Sequence, residues 1–154
     1  MRSESTPAID ELAGTEIEFE VVRTERAGSV EESAQLQGIE ADHLLKSLIV
    51  RRGTDDYLFV LMPGPRQMSW PKLRKMLGVS RVTMPSAEEA RDATGYERGA
   101  ITPLGAATSF PVLADASVPD GMIAIGGGAH GVNIHMSSAA LFEHLSVTVA
   151  DLSE

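Results

Sequence analysis

Two apolar runs, Ser47-Leu48-Ile49-Val50 and Tyr57-Leu58-Phe59-Val60-Leu61-Met62, flank the polar stretch Gly53-Thr54-Asp55-Asp56. Short runs rich in β-branched and aromatic residues, parted by a Gly/Asp turn, predict a β-hairpin. Neither run alternates with polar residues, so both strands are expected to be well buried. A hairpin of that kind needs a core built around it. The 154 residues, 43% of them hydrophobic, suffice for one such core without covalent staples.

The flanking sequence supplies helices and further strands. Residues 7–14 predict a short helix, and Ile17, Phe19 and Val21 alternate with Glu18, Glu20 and Val22 as in a half-buried strand. Ser29 with Glu32, and Ser86 with Glu89, have the spacing of capping boxes; the first opens a helix that Gly38 ends, the second a helix over Ala87–Ala93. Ser69 caps a helix running to Leu77, with Pro71 in its first turn and Gly78 as its stop. Strands are expected at Arg81–Met84, Pro111–Ala114, Met122–Ile125 and Val132–Met136, and a last helix over Ser138–Leu145 behind a Ser137 cap. Irregular alternation with several short turns favours a mixed sheet, so residues 1–154 read as one α/β (α+β) domain.

The chain has no cysteine, which excludes disulfides, thiolate nucleophiles and Cys-ligated metal sites. Its first thirty residues hold Glu4, Asp10, Glu11, Glu16, Glu18, Glu20 and Glu25 and no apolar run of signal-peptide length. No stretch reaches the length of a membrane span, and a cytoplasmic location is expected. The net charge of −9 argues against a general nucleic-acid binder. The charge is unevenly spread, however: eight of the 13 basic residues lie between Lys46 and Arg81 against only Asp55 and Asp56, so that segment carries +6 and the remainder −15. This is either a solvated helix face with strand-end charges or a local phosphate-contacting patch.

Lys46 enters the first apolar run behind Leu44 and Leu45. On spacing alone the commoner reading is a strand-end lysine whose stem lies on apolar surface; the sharper one is a compact charge facing a phosphate or an oxyanion. Thr94–Gly105 places three glycines and Pro103 in twelve residues, a loop that is either a tight connection or a backbone surface for a carbonyl group. Gly126-Gly127-Gly128-Ala129-His130-Gly131 is a second backbone-rich turn, without the helix of a dinucleotide fingerprint or the lysine of a P-loop. His130 stands between small residues and can act as a donor or proton carrier, whereas His135 faces away from Val132 and Ile134 in a structural position. Their spacing does not suit a zinc site, and there is no Gly-x-Ser-x-Gly elbow. No metal or cofactor is expected.

Lys46-Ser47-Leu48-Ile49-Val50, Val60-Leu61-Met62-Pro63-Gly64, and Thr94-Gly95-Tyr96 with Gly99 and Pro103-Leu104-Gly105 resemble, in order and spacing, the YbaK/ProX family. These are aminoacyl-tRNA deacylases related to the editing domain inserted in bacterial prolyl-tRNA synthetases. Pro111-Val112, Asp115 and the Gly126-Gly127 turn extend the resemblance over about residues 28–145. It implies a mixed, strongly curved sheet flanked by helices. It also implies that Lys46 holds the terminal nucleotide, and that Gly99 and Pro103 belong to a loop whose backbone positions the aminoacyl carbonyl. Water then attacks the ester with help from a ribose hydroxyl. Gly95, Tyr96, Ala100, Ile101, Thr102, Gly127, Gly128 and His130 are the expected substrate contacts. At the His130 turn the synthetase-inserted relatives carry a histidine, and many free-standing members do not.

The expected function is trans-editing: removal of a mischarged small amino acid, of the Ala, Ser, Thr or Cys class, from transfer RNA. Arg66, Lys72, Arg74 and Lys75 are the expected tRNA contacts, and Met62, Met84 and Ile101 are candidates for the pocket wall. The expected partner is aminoacyl-tRNA, with a synthetase as a second candidate and neither DNA nor a membrane. Two other functions fit the same residues: a non-catalytic module binding charged tRNA or a synthetase through residues 66–81, and a hydrolase of another small aminoacyl or nucleotide ester.

Overall fold

The computed structural model describes residues 5–154. The hairpin forms as β2 (Leu45–Gly53) and β3 (Asp56–Pro63), antiparallel, with Gly53 paired to Asp56 around Thr54 and Asp55. Asp55 takes the left-handed conformation, at φ 55°, and the register of the pair shifts between Arg51 and Gly53 beside the turn. β4 (Val112–Asp115) runs parallel to β3, and β7 (Thr148–Ala150) parallel to β4, giving a mixed sheet in the order β2-β3-β4-β7. A second, antiparallel sheet is ordered β1-β6-β5, from β1 (Phe19–Arg23), β6 (Val132–Ser137) and β5 (Met122–Gly126). The curved mixed sheet expected from the sequence is thus divided in two, and the halves meet at a parallel bridge between Leu44 and Ala124.

Of the two hairpin strands β3 is buried from Tyr57 to Pro63, whereas in β2 Leu45, Ile49 and Val50 are buried and the rest are half-buried or exposed. The reason is position, since β3 has a neighbour on each side and β2 is an edge strand. Alternation hidden inside the apolar runs divides the core. Leu45, Ile49, Phe59 and Leu61 pack with Ile123, Ile125, Ile134, Met136 and Leu141, while Val50, Leu58, Val60 and Met62 pack with Met68, Leu73, Val82, Leu113 and Leu152.

The helices follow their caps. α1 (Pro7–Ala13) starts at Thr6, α2 (Val30–Gln37) at Ser29, α3 (Trp70–Leu77) at Ser69, α4 (Ala87–Thr94) at Ser86 and α5 (Ser138–Leu145) at Ser137, each cap side chain accepting a backbone N–H of the first turn. Ser86 and Glu89 complete a reciprocal box. At α2 the box is displaced, because Glu32 Oε2 accepts from Gly28 N at 3.3 Å. The strand expected at Arg81–Met84 reduces to one bridge, Thr83 to Arg51, with N···O distances of 2.8 and 2.9 Å. Pro85 follows directly and has no N–H to extend it. β7 was not expected, being three residues long and mostly exposed.

Candidate functional site

Because β2 has no second neighbour, its outer edge borders a cavity of about 630 Å³. Residues 24–30 and 98–101, and the turn around Ala129–Asn133, form the rest of its wall. Arg51 turns both its N–H and its C=O outward to Thr83. Antiparallel alternation therefore turns the amide and carbonyl groups of Ile49 and Ser47 to the same open edge, toward the cavity.

Lys46 and Ser47, adjacent in the chain, point to opposite faces of β2. Lys46 pairs with Met62, and its half-buried ammonium donates to the Arg66 carbonyl of the loop after β3. Burial lowers its pKa from the usual lysine value. Ser47 pairs with Leu61 on the core-facing side, and its buried Oγ has no hydrogen-bond partner. A hydroxyl withdrawn from water without a partner costs about 1–3 kcal/mol.

The Gly-rich loop presents part of itself to the cavity and buries the rest. Gly99, at φ 91°, sits against the exposed His130 ring, where a Cβ would come within 3.0 Å of Cε1. Gly99, Ala100, Ile101 and His130 line the cavity with Lys46. Gly95, Tyr96, Thr102, Pro103, Gly127 and Gly128 stand outside its lining. Gly95 ends α4 in the left-handed conformation. Tyr96 is buried, its hydroxyl donating to Leu104 O at 2.6 Å, and burial foremost pushes its pKa up to about 12. Its ring covers Gly128. Thr102 and Pro103 are buried, with Thr102 Oγ1 accepting from Leu104 N at 3.3 Å; Gly127 N closes its turn on Val132 O at 2.8 Å.

Of the wall candidates, Met84 and Ile101 line the cavity, but Met62 is fully buried on the opposite face of the hairpin. His135 lies apart, donating from Nε2 to Gln37 Oε1 at 2.9 Å, with its pKa lowered by burial. The basic segment is not one patch. Lys72 is held by both Asp151 carboxylate oxygens at 3.0 Å and by Ser153 O at 2.7 Å, and Arg52 pairs with Asp56 at 3.0 Å. Arg66, Arg74 and Lys75 carry no ion pair among the described residues. Arg26 and Arg98, outside that segment, line the cavity.

Sequence reasoning missed Ser47, Arg26 and Arg98. Only Ser47 left a signal, as a polar residue in phase with Leu45 and Ile49 on the core-facing side of the strand. No three His, Asp or Glu side chains converge as a metal site among the described residues, and no helix there is long and apolar enough to cross a membrane. Arg26, Arg98, His130 and the Gly99–Ile101 segment line the cavity beside the open edge of β2, while the Lys46 ammonium is turned to the Arg66 carbonyl on the other face of the strand. That set suits binding a small polar group attached to an anion.

Residues 24–143 match the family described as the aminoacyl-tRNA editing domain. Over 103 residues the chain is 35% identical to the proline–tRNA ligase of Thermosipho melanesiensis, covering 67% of this chain and only 18% of the ligase. With the candidate Cys-tRNA(Pro)/Cys-tRNA(Cys) deacylase EbsC of Enterococcus faecalis it is 28% identical over 89% of this chain and 82% of EbsC. The crystal structure of a candidate trans-editing enzyme for prolyl tRNA synthetase superposes with a TM-score of 0.84 over 99% of both chains at 22% identity, a likeness of fold. With its extent and architecture both matched, the chain belongs to the aminoacyl-tRNA editing domain family.

Proposed function

We propose that this protein hydrolyses the ester of a mischarged small amino acid on transfer RNA, with alanine, serine, threonine and cysteine as the candidate residues removed. The observation that carries this is that one cavity is lined together by β2 at Lys46 and Ser47, the Gly99–Ile101 segment and His130. Its volume, about 630 Å³, falls within the roughly 300–1,000 Å³ of small-ligand sites, enough for an aminoacyl group and part of the terminal adenosine. In this reading Lys46 holds the terminal nucleotide by charge, and the loop backbone fixes the ester carbonyl. Water adds to that carbonyl, and the free ribose hydroxyl takes the water's proton as it passes its own to the ribose oxygen that leaves. Collapse of the tetrahedral intermediate releases the amino acid and leaves the other ribose oxygen protonated. Pairing of Lys72 with Asp151 weakens the alternative of a binding module built on residues 66–81.

Discrimination among the candidates is small in energy, since one methylene is worth about 1–3 kcal/mol in a pocket. The name of EbsC makes Cys-tRNA(Pro) the first substrate to try. The experiment is a deacylation panel with tRNA(Pro) carrying each of the four amino acids. Release is expected from at least one, and Lys46→Ala is expected to lose most of it while His135→Ala retains it. No release from any of them at micromolar enzyme, beside an active relative, would overturn the proposal.

A further inference from the structure

Helix α1 lies before the residues matched by the editing-domain family, 24–143, yet it is bonded to both turns that border the cavity. Thr6 caps the helix by accepting from Ile9 N at 3.2 Å, and its own proton is directed across the molecule to the Gly127 carbonyl at 2.5 Å, a buried contact spanning 121 positions. Glu11, one helical turn or more further on, accepts from Gly105 N through Oε1 at 3.0 Å and from His144 Nε2 through Oε2 at 2.8 Å. Gly105, at φ 67°, lies so close to α1 that a Cβ would come within 2.3 Å of the Pro7 carbonyl carbon. Between the two turns stands Tyr96, whose hydroxyl bonds to Leu104 O and whose ring covers Gly128. Ala8 and Leu12 anchor the helix in the core at 0% exposure.

We infer that α1 is a clamp in which Thr6 and Glu11 are positioning residues, holding the 126–131 turn and the 99–105 loop in register across the cavity. Both bonds end on backbone atoms of those turns, and the one from Gly105 N meets a carboxylate, which makes it stronger than a neutral bond. A reacting group displaced by about 1 Å loses roughly 100-fold in rate, so tying two loops to one rigid element has a direct catalytic consequence. The inference rests on the proposed deacylase reading for its effect on turnover, but not for its effect on the loops.

The test uses Thr6→Val and Glu11→Ala in the full chain, with Thr6→Ser and Glu11→Gln as conservative counterparts. Amide hydrogen exchange without substrate should quicken in residues 126–132 for Thr6→Val and in 99–106 for Glu11→Ala, while the hairpin strands β2 and β3 keep their protection. Deacylation kcat should fall by about tenfold with KM little changed, and Thr6→Ser should restore both readouts. Unchanged exchange in the two loops, or exchange that rises evenly through the chain, overturns the clamp. A wild type that releases no amino acid overturns the deacylase reading instead, and the exchange data still decide the clamp.

Discussion

Ser47 lies between Leu45 and Ile49 in the core-facing phase of β2, on the strand edge that no other strand covers. Packing withdraws its hydroxyl from water, and the open edge withholds a partner from it. Its removal therefore has opposite consequences for folding and for function. Ser47→Ala should leave stability unchanged or raise it by up to about 1 kcal/mol in urea unfolding, because an unsatisfied group is deleted with little change of volume. The same variant should lower kcat/KM by about tenfold, the equivalent of one hydrogen bond to substrate. Lost stability with intact kcat/KM would give Ser47 a purely structural role. Lys46 illustrates how far a single residue can be read. Its place before an apolar run was plain in the sequence, but the carbonyl that holds its ammonium belongs to Arg66, across the hairpin.

At the scale of elements, local signals were accurate where the partner was a few residues away. Ser29, Ser69, Ser86 and Ser137, read as caps from the sequence, all cap helices because a side chain three residues before an amide reaches it whatever the rest of the molecule does, and Thr6, not read so, does the same. Asp115 shows the opposite case. At the end of β4 and almost wholly buried, it accepts from Leu152 N at 2.7 Å and from the amide and hydroxyl of Ser117. Burial pushes its carboxyl up, but the bonds from Ser117 and Leu152 outweigh it and hold the pKa below the usual aspartate value. With the folded pKa depressed, the stabilisation is fully present above the unfolded value of about 3.9 and is lost as pH falls through the lower folded value. Asp115→Asn should cost about 1–3 kcal/mol at pH 7, and the variant's stability should fall less steeply than the wild type's below pH 4, both read by urea unfolding. An equal acid limb in the two proteins would place the acid-sensitive group elsewhere.

For the whole molecule, net charge and its distribution bear on the proposed engagement of transfer RNA. The chain carries −9, and three of the eight cations in the basic segment, Arg51, Arg52 and Lys72, are each within 4 Å of an acidic side chain. With about three phosphate contacts, log kcat/KM should fall with log salt at a slope near −2 to −3. Arg98→Ala should flatten that slope by about 1 and Lys72→Ala should not, measured by deacylation across a potassium chloride series. Equal effects would mean that the cavity rim and the face of α3 contribute alike. The sequence by itself determined the hairpin, the helix caps, the two backbone-rich turns and the order of motifs, because each depends on hydrogen bonds or turns between near neighbours. Tertiary structure alone decided that β2 is an edge, that Met84 rather than Met62 faces the cavity, that Tyr96 is buried against Gly128, and that Lys72 is paired with Asp151. Those outcomes depend on which face of an element meets which distant neighbour. Packing settles that only when the whole core closes.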